Sequence, residues 1–280
     1  MKNLKVQYYP QIMTFLHKRD NIHGLFHFIQ ISLSFRYQFA GEEIMLAVFS
    51  NEVVSPPDEL IAAGCRTPSP KVSSTQLLQR FLDANPGAVS MHVGGNSILA
   101  YSHHKQSLLN PRSFAVKDDV FCLFVGSLHN LGSLRHHYGL SKSANETMLV
   151  IEAYKALRDR APYPPNHVVS HLSGDFAFIV FDTTTSTLFV ASDQFGKVPL
   201  YWGVTADGHL AFSDTIDLLK GACGKSLASF PQGCFYSTAV GELRSFENPK
   251  NKVLAVPARE EEIWGATFKV EGPTFVAATE

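Results

Sequence analysis

Residues 192–203 read SDQFGKVPLYWG. An acid, Asp193, opens a short turn that closes at Gly196, and Pro199 leads the chain into the apolar run Leu200-Tyr201-Trp202. Apolar segments flank it on both sides, so the stretch connects two strands. Its carboxylate is placed to organise the 193–196 turn by accepting backbone N–H bonds, the usual use of an aspartate at such a position.

Working outward, STLFVASD (186–193) and DFAFIVFD (175–182) flank Thr183-Thr184-Thr185 and read as a hairpin. DFAFIVFD is apolar almost without a break, which predicts a central strand buried on both faces. Downstream, LYWGV and HLAFSD form a second pair through residues 205–208, and a short helix is expected over 214–221. GCFYSTA and ELRSF follow, with Gly241 between them. Upstream, MLAVFS from Met45 reads as a short buried strand, VSMHV and NSILAYS as a hairpin through Gly94-Gly95, and DVFCLFVGSL as a strand running to a glycine. A helix is expected from about Ala144: Ser143 and Glu146 have capping-box spacing, and Met148, Ile151, Tyr154 and Leu157 recur on one face. Antiparallel pairs with inserted helices and no β-α-β alternation indicate an α+β fold.

Composition narrows the function classes. The 280 residues are 45% hydrophobic and 18% charged, with a formal net charge of −1, so the chain is a core-forming protein with no basic stripe for nucleic acid. No apolar run reaches the ~20 residues of a membrane span. Four scattered cysteines (Cys65, Cys122, Cys223, Cys234) form no C-x-x-C, which suits a reducing compartment and excludes a zinc-finger pattern. GACGKS (221–226) has two residues between its glycines where a phosphate loop needs four, and it follows a helix; a helix cap at Gly221 and a surface loop are expected. The pairs His103-His104 and His136-His137 lack an i+4 partner, and no G-x-S-x-G is present. No metal and no cofactor are expected.

Taken in order, these segments resemble the glutaminase domain of class II glutamine amidotransferases, most of all that of asparagine synthetases. MLAVF stands for the family's first strand, VGSLHN (125–130) for its N-G-E-I-Y-N, and SGDFAFIVFD for its G-x-F-A-F strand. SDQFGKVPLYWG matches the Asp-x-x-Gly-x-x-Pro-Leu-Tyr hallmark, AFSD its F-A-S-E, and FPQG (230–233) its F-P-P-G. Tyr138-Gly139-Leu140 and Leu157-Arg158-Asp159-Arg160 are similar to the YGL and LRDR signatures of plant aluminium-induced, stem-specific-type proteins. The resemblance implies a four-layer αββα sandwich of the N-terminal-nucleophile hydrolase type.

It also implies a pocket, and that pocket is degenerate here. Family members attack glutamine with an N-terminal cysteine whose free amine acts as base. Leu46 stands in its place; Val125 replaces the oxyanion asparagine and Ser127 the following glutamate, while Gly126 is kept. Glu146 falls near the carboxylate that would hold the substrate amine, and it also has the capping-box reading. The resulting expectations are no catalytic residue, and pocket remnants at Leu46, Val125, Gly126, Ser127 and Glu146. The expected role is a stress-linked binding or scaffold protein in the cytoplasm, with a nuclear location left open. An amino-acid-like ligand and a homodimer are the partners considered, with no nucleic acid and no membrane. Two alternatives stay open: an active glutamine amidohydrolase with another nucleophile, and a metabolite sensor using the old glutamine pocket. The expected domains are an extension over 1–44, disordered or alternatively translated and dispensable for folding, the amidotransferase-like domain over 45–250, and a tail over 251–280.

Overall fold

The computed structural model describes residues 44–58, 60–62, 71–102, 111–160, 164–251, 253–259 and 265–271. The extension before Ile44, Cys65 and the His103-His104 pair lie outside the described residues.

Two six-stranded antiparallel sheets dominate. The first is built from β1 (Met45–Phe49), β2 (Val89–Val93), β3 (Ser97–Tyr101), β8 (Tyr201–Val204), β9 (Leu210–Ser213) and β10 (Ala228–Ser229), in the order β10-β8-β9-β1-β3-β2. The second is built from β4 (Phe114–Lys117), β5 (Val120–Leu128), β6 (Gly174–Asp182), β7 (Thr187–Ser192), β11 (Cys234–Ser237) and β12 (Glu242–Ser245), in the order β12-β11-β7-β6-β5-β4. The principal helices are α1 (Ser74–Ala84), α2 (Leu131–His137), α3 (Glu146–Arg158), α4 (Pro165–Ser170) and the single turn α5 (Ile216–Leu219).

Strand alternation sorts side chains into three cores and thereby fixes the layer order. On β6, Ala177, Ile179 and Phe181 face the first sheet, where they meet Met45, Ala47, Phe49, Leu99, Trp202 and Phe212. Phe176, Phe178 and Val180 face the other way and pack with Leu149, Val150, Tyr154 and Val169 of α3 and α4. On β1, Leu46 and Val48 leave the inter-sheet core and pack with Leu77 and Phe81 of α1 and Leu219 of α5. The fold is therefore a four-layer αββα sandwich. DFAFIVFD is an interior strand of the second sheet, and its unbroken apolar run serves two cores at once. Its phenylalanines continue into an aromatic chain: Phe178 meets Phe189 at 5.4 Å, and Phe189 meets Phe235 at 5.9 Å between ring centroids.

SDQFGKVPLYWG carries the chain out of the second sheet at β7 and into the first at β8. FPQG makes the reverse crossing, from β10 to β11. The two crossings lie side by side and are bonded to each other: Phe230 N–H donates to Leu200 O (2.8 Å) and Gly233 N–H to Asp193 O (2.8 Å). Asp193 is fully buried. Its Oδ1 accepts from the N–H groups of Phe195 (2.9 Å) and Lys197 (3.2 Å). Its Oδ2 accepts from those of Val198 (3.2 Å) and Phe176 on β6 (3.3 Å). The carboxylate does organise the turn, and through Phe176 it also clamps the turn to the sheet.

Both short signatures have structural work. Tyr138-Gly139-Leu140 ends α2: Gly139 takes φ +66°, and Leu140 N–H returns to Arg135 O at 2.8 Å, a left-handed helix stop. In Leu157-Arg158-Asp159-Arg160, Arg158 pairs with the fully buried Asp182 at the end of β6 (2.9 Å), which also accepts from Tyr154 Oη (3.1 Å) and Thr184 N–H (3.0 Å). Burial pushes this carboxyl up, but the bonds from Arg158, Tyr154 and Thr184 outweigh it and hold it below the ordinary aspartate range. Residues within the expected tail form a hairpin, β13 (Val253–Pro257) with β14 (Ala266–Val270), whose Phe268 ring lies 5.2 Å from Trp202.

Two local expectations need correction. Ser143 does not cap α3; its hydroxyl is taken by Ser141 (2.9 Å). Asn145 is the N-cap, because its amide does two jobs: Oδ1 accepts from Met148 N–H (3.1 Å) and Nδ2 donates to Pro111 O (3.0 Å). GACGKS is no surface loop either. Ala222, Cys223 and Ser226 are fully buried, and Ser226 Oγ accepts from Val204 N–H (2.8 Å) while donating to Cys223 O. Gly221, at φ +77°, follows the α5 cap residue Lys220.

Candidate functional site

The five residues expected in the degenerate pocket are distributed over three layers. Val125, Gly126 and Ser127 run along β5 toward its end. Val125 packs against the inter-sheet core, and Ser127 is exposed opposite Asp175 of β6. Gly126 takes φ +109°; a Cβ there would lie 2.1 Å from Asp175 O, so only glycine lets β5 and β6 approach.

Leu46 does not join them. Its neighbours lie in the α1/α5 layer, on the opposite face of the first sheet from the inter-sheet space. Met45, Ala47 and Phe49 are the β1 residues that share the inter-sheet core against which Val125 packs. The backbone here is fully engaged: Met45 N–H donates to Asp214 Oδ1 (3.0 Å), Ser213 Oγ–H donates to Met45 O (2.9 Å), and Ser102 N–H donates to Ile44 O (2.9 Å). The nitrogen at the start of β1 is thus a peptide donor held in a sheet. The amine-as-base role needs a free nitrogen with a lone pair, and a peptide N–H offers none.

Glu146 stands at the first turn of α3, 6% exposed, and its carboxylate is held by Arg112 at 2.9 Å. The capping-box reading of Glu146 therefore falls. Its charge also suits the helix N-terminus. With Asn145 on Pro111, this pair ties the strap before β4 to α3.

Asp214 was not singled out in the sequence beyond its place in AFSD. Burial pushes its carboxyl up to about 7, against hydrogen bonds from Met45 N–H, its own backbone N–H, and the Ser213 and Thr215 hydroxyls. The folded chain then holds a proton that the unfolded chain has lost between about pH 4 and 7, so stability falls as pH rises through that window. Asp214→Asn keeps an acceptor for Met45 and removes the titration. It is expected to flatten that decline by on the order of 2 kcal/mol, measured by urea denaturation at pH 4.5 and 7.5; an unchanged pH profile would count against a raised Asp214.

The remaining chemistry-bearing groups do not assemble a centre. Cys122, Cys223 and Cys234 are buried free thiols; burial raises all three, Cys223 and Cys234 to about 12, far from reactive thiolates. His137 lies in the last turn of α2 and packs edge-on against Tyr138. Among the described residues no group of histidine, cysteine and acidic side chains could hold a metal ion, and no helix is long and apolar enough to cross a membrane.

The chain is similar to several known proteins. Residues 46–270 match the family model described as "Aluminium induced protein". A stem-specific protein of Nicotiana tabacum is 46% identical over 149 residues, which is 52% of this chain and 99% of that protein. An asparagine synthetase (glutamine-hydrolyzing) of Oryza sativa subsp. japonica is 26% identical over 181 residues, 62% of this chain and 29% of the enzyme. Among solved structures, the glutamine phosphoribosylpyrophosphate amidotransferase of B. subtilis aligns over 72% of this chain and 49% of its own, at 13% identity and a TM-score of 0.48. The chain spans under a third of the rice enzyme and about half of the bacterial one.

Proposed function

The chain belongs to the aluminium-induced protein family, and from that premise we propose that it is a non-hydrolysing, amidotransferase-like binding or scaffold protein. The observation that carries this reading is the fate of two positions. Leu46 and Val125, where nucleophile and oxyanion donor would stand, carry hydrocarbon side chains, and they pack into cores on opposite faces of the first sheet. Losing an oxyanion donor alone lowers a rate by about 10²–10³; losing the nucleophile removes the acyl-enzyme route itself. The names of the family and of the tobacco relative support a role in stressed or growing plant tissue. Scattered buried thiols support a cytoplasmic or nuclear setting.

The pocket remnants support a scaffold over a glutamine sensor, because Glu146, the carboxylate that the resemblance offers for a substrate amine, is already paired with Arg112. Titration calorimetry with L-glutamine, L-glutamate and L-asparagine tests this choice. No saturable heat is expected from any of the three. Saturable glutamine binding that is lost in Glu146→Gln would replace the scaffold by a sensor.

A further inference from the structure

Apart from the Gly126 region, the structure holds a cavity of about 1050 Å³. Register places it. Tyr236, in its wall, stands in a cross-strand row with Val190, Ile179 and Leu123, three strands across from β5 and three residues along β5 from Gly126. Its size is at the upper end of small-molecule sites, which run to about 1,000 Å³. The wall is mainly apolar: Val54, Leu243 and Leu254 line it together with Trp202, Tyr236 and Phe268. Its charges select no ionic ligand. Among the described residues Asp58 and Lys250 carry opposite signs, and Arg244 already has a partner within the chain.

One polar group of the wall is unmet. Trp202 is fully buried, and its Nε1–H has no acceptor among the described residues. The other buried side-chain atoms in that condition, on Glu152, His209 and Ser237, do not line the cavity. Native interiors rarely keep an orphaned donor without a reason. Beside Trp202 stand two rings of the same wall, Tyr236 at 5.8 Å and Phe268 at 5.2 Å between centroids. Phe268 belongs to the β13–β14 hairpin, which pairs with neither large sheet. A two-stranded hairpin is marginal on its own, so this is the part of the wall that yields and lets an acceptor reach the indole. Balanced charge, aromatic surface and a single unmatched N–H together select one ligand chemistry. The rings take a flat body, and the donor takes one acceptor oxygen.

We propose that this cavity binds a neutral, flat, mainly apolar small molecule bearing a carbonyl group, seated among Trp202, Tyr236 and Phe268 with the carbonyl oxygen accepting from Trp202 Nε1–H. The site shares no residue with the region around Gly126, so it stands or falls apart from the scaffold reading.

The test is equilibrium dialysis of the full chain against three probes. Coumarin is a neutral flat lactone, naphthalene a bicycle of the same size without oxygen, and coumarin-3-carboxylate the lactone with an added charge. One saturable site is expected for coumarin, with naphthalene roughly tenfold weaker, as loss of one hydrogen bond to a buried donor predicts. The carboxylate should bind no more tightly than coumarin. Trp202→Phe keeps an aromatic ring and removes the N–H; it should bring coumarin down to the affinity of naphthalene and leave naphthalene unchanged. Leu254→Asp should weaken both several-fold. Leu254 is exposed, so its variant keeps the test sound should Trp202→Phe unfold. Absence of saturable binding, equal affinity for coumarin and naphthalene, or tighter binding of the carboxylate than of coumarin would overturn the proposal. So would coumarin affinity unchanged in Leu254→Asp or in a folded Trp202→Phe.

Discussion

Asp193→Ala is expected to lower the stability of the folded chain by about 3–5 kcal/mol, a large share of what a domain possesses. The reason lies in the number of donors one carboxylate serves. Four backbone N–H groups, of Phe176, Phe195, Lys197 and Val198, end on its two oxygens. Alanine removes the acceptor of all four. The Phe176 N–H is buried, whereas the turn donors belong to exposed or half-buried residues. The cost is therefore about 1–3 kcal/mol for each group that water cannot reach, plus loss of the clamp between turn and sheet. Asp193→Asn keeps one oxygen and turns an NH₂ toward the other donors, so its loss should be smaller but still above ~1.5 kcal/mol. Urea denaturation of the two variants measures both. A loss under ~1 kcal/mol in the alanine variant would mean that the crossing is held mainly by the Gly233–Asp193 and Phe230–Leu200 backbone bonds.

Gly126→Ala should be comparably severe for a different reason. Its φ of +109° is a conformation that L side chains rarely adopt, and the added Cβ would lie 2.1 Å from Asp175 O and 3.0 Å from Phe176 Cα. Both obstacles are backbone of the neighbouring strand, which cannot rotate away. Relief requires opening the β5–β6 pair of the second sheet. A loss of about 3 kcal/mol or more is expected, from strain and lost pairing together. Gly139→Ala is the control: φ is +66° and nothing lies within 4 Å of its Cβ, so only the left-handed backbone term of about 1 kcal/mol applies. Equal losses in the two variants would show that close strand approach is not the function of Gly126.

What was legible in the sequence was whatever depends on near neighbours. DFAFIVFD announced a strand buried on both faces, because its apolar character ignores the two-residue period. The Asp193 turn was legible because three of its four donors lie within five residues. Contacts between distant segments were not. Nothing local tells that Gly233 bonds Asp193, or that Arg112 takes the Glu146 carboxylate 34 residues away. The placement of Leu46 failed for a sharper reason. In a strand, one residue decides the face; the alternation Met45, Ala47, Phe49 points inward, so Leu46 belongs to the helical layer. Likewise Ser143 and Asn145 are both good caps by composition, and only the nearby Pro111 carbonyl favours the asparagine. The hairpin at 253–270 escaped notice because its strands are short and its anchor, Trp202, is 66 residues from Phe268.

The corrected position of Leu46 also bears on restoring activity. Leu46→Cys with Val125→Asn and Ser127→Glu would bury the new thiol beside Leu77 and Phe81 instead of facing β5, and no turnover is expected from it. The most direct measurement of the central claim uses the unmodified protein: ammonia release from L-glutamine, followed through successive purification steps. The account predicts a rate indistinguishable from that of buffer. Release that scales with protein, co-purifies with it and disappears on mutation of a single residue facing the inter-sheet space would contradict it, and would identify the nucleophile that Leu46 is not.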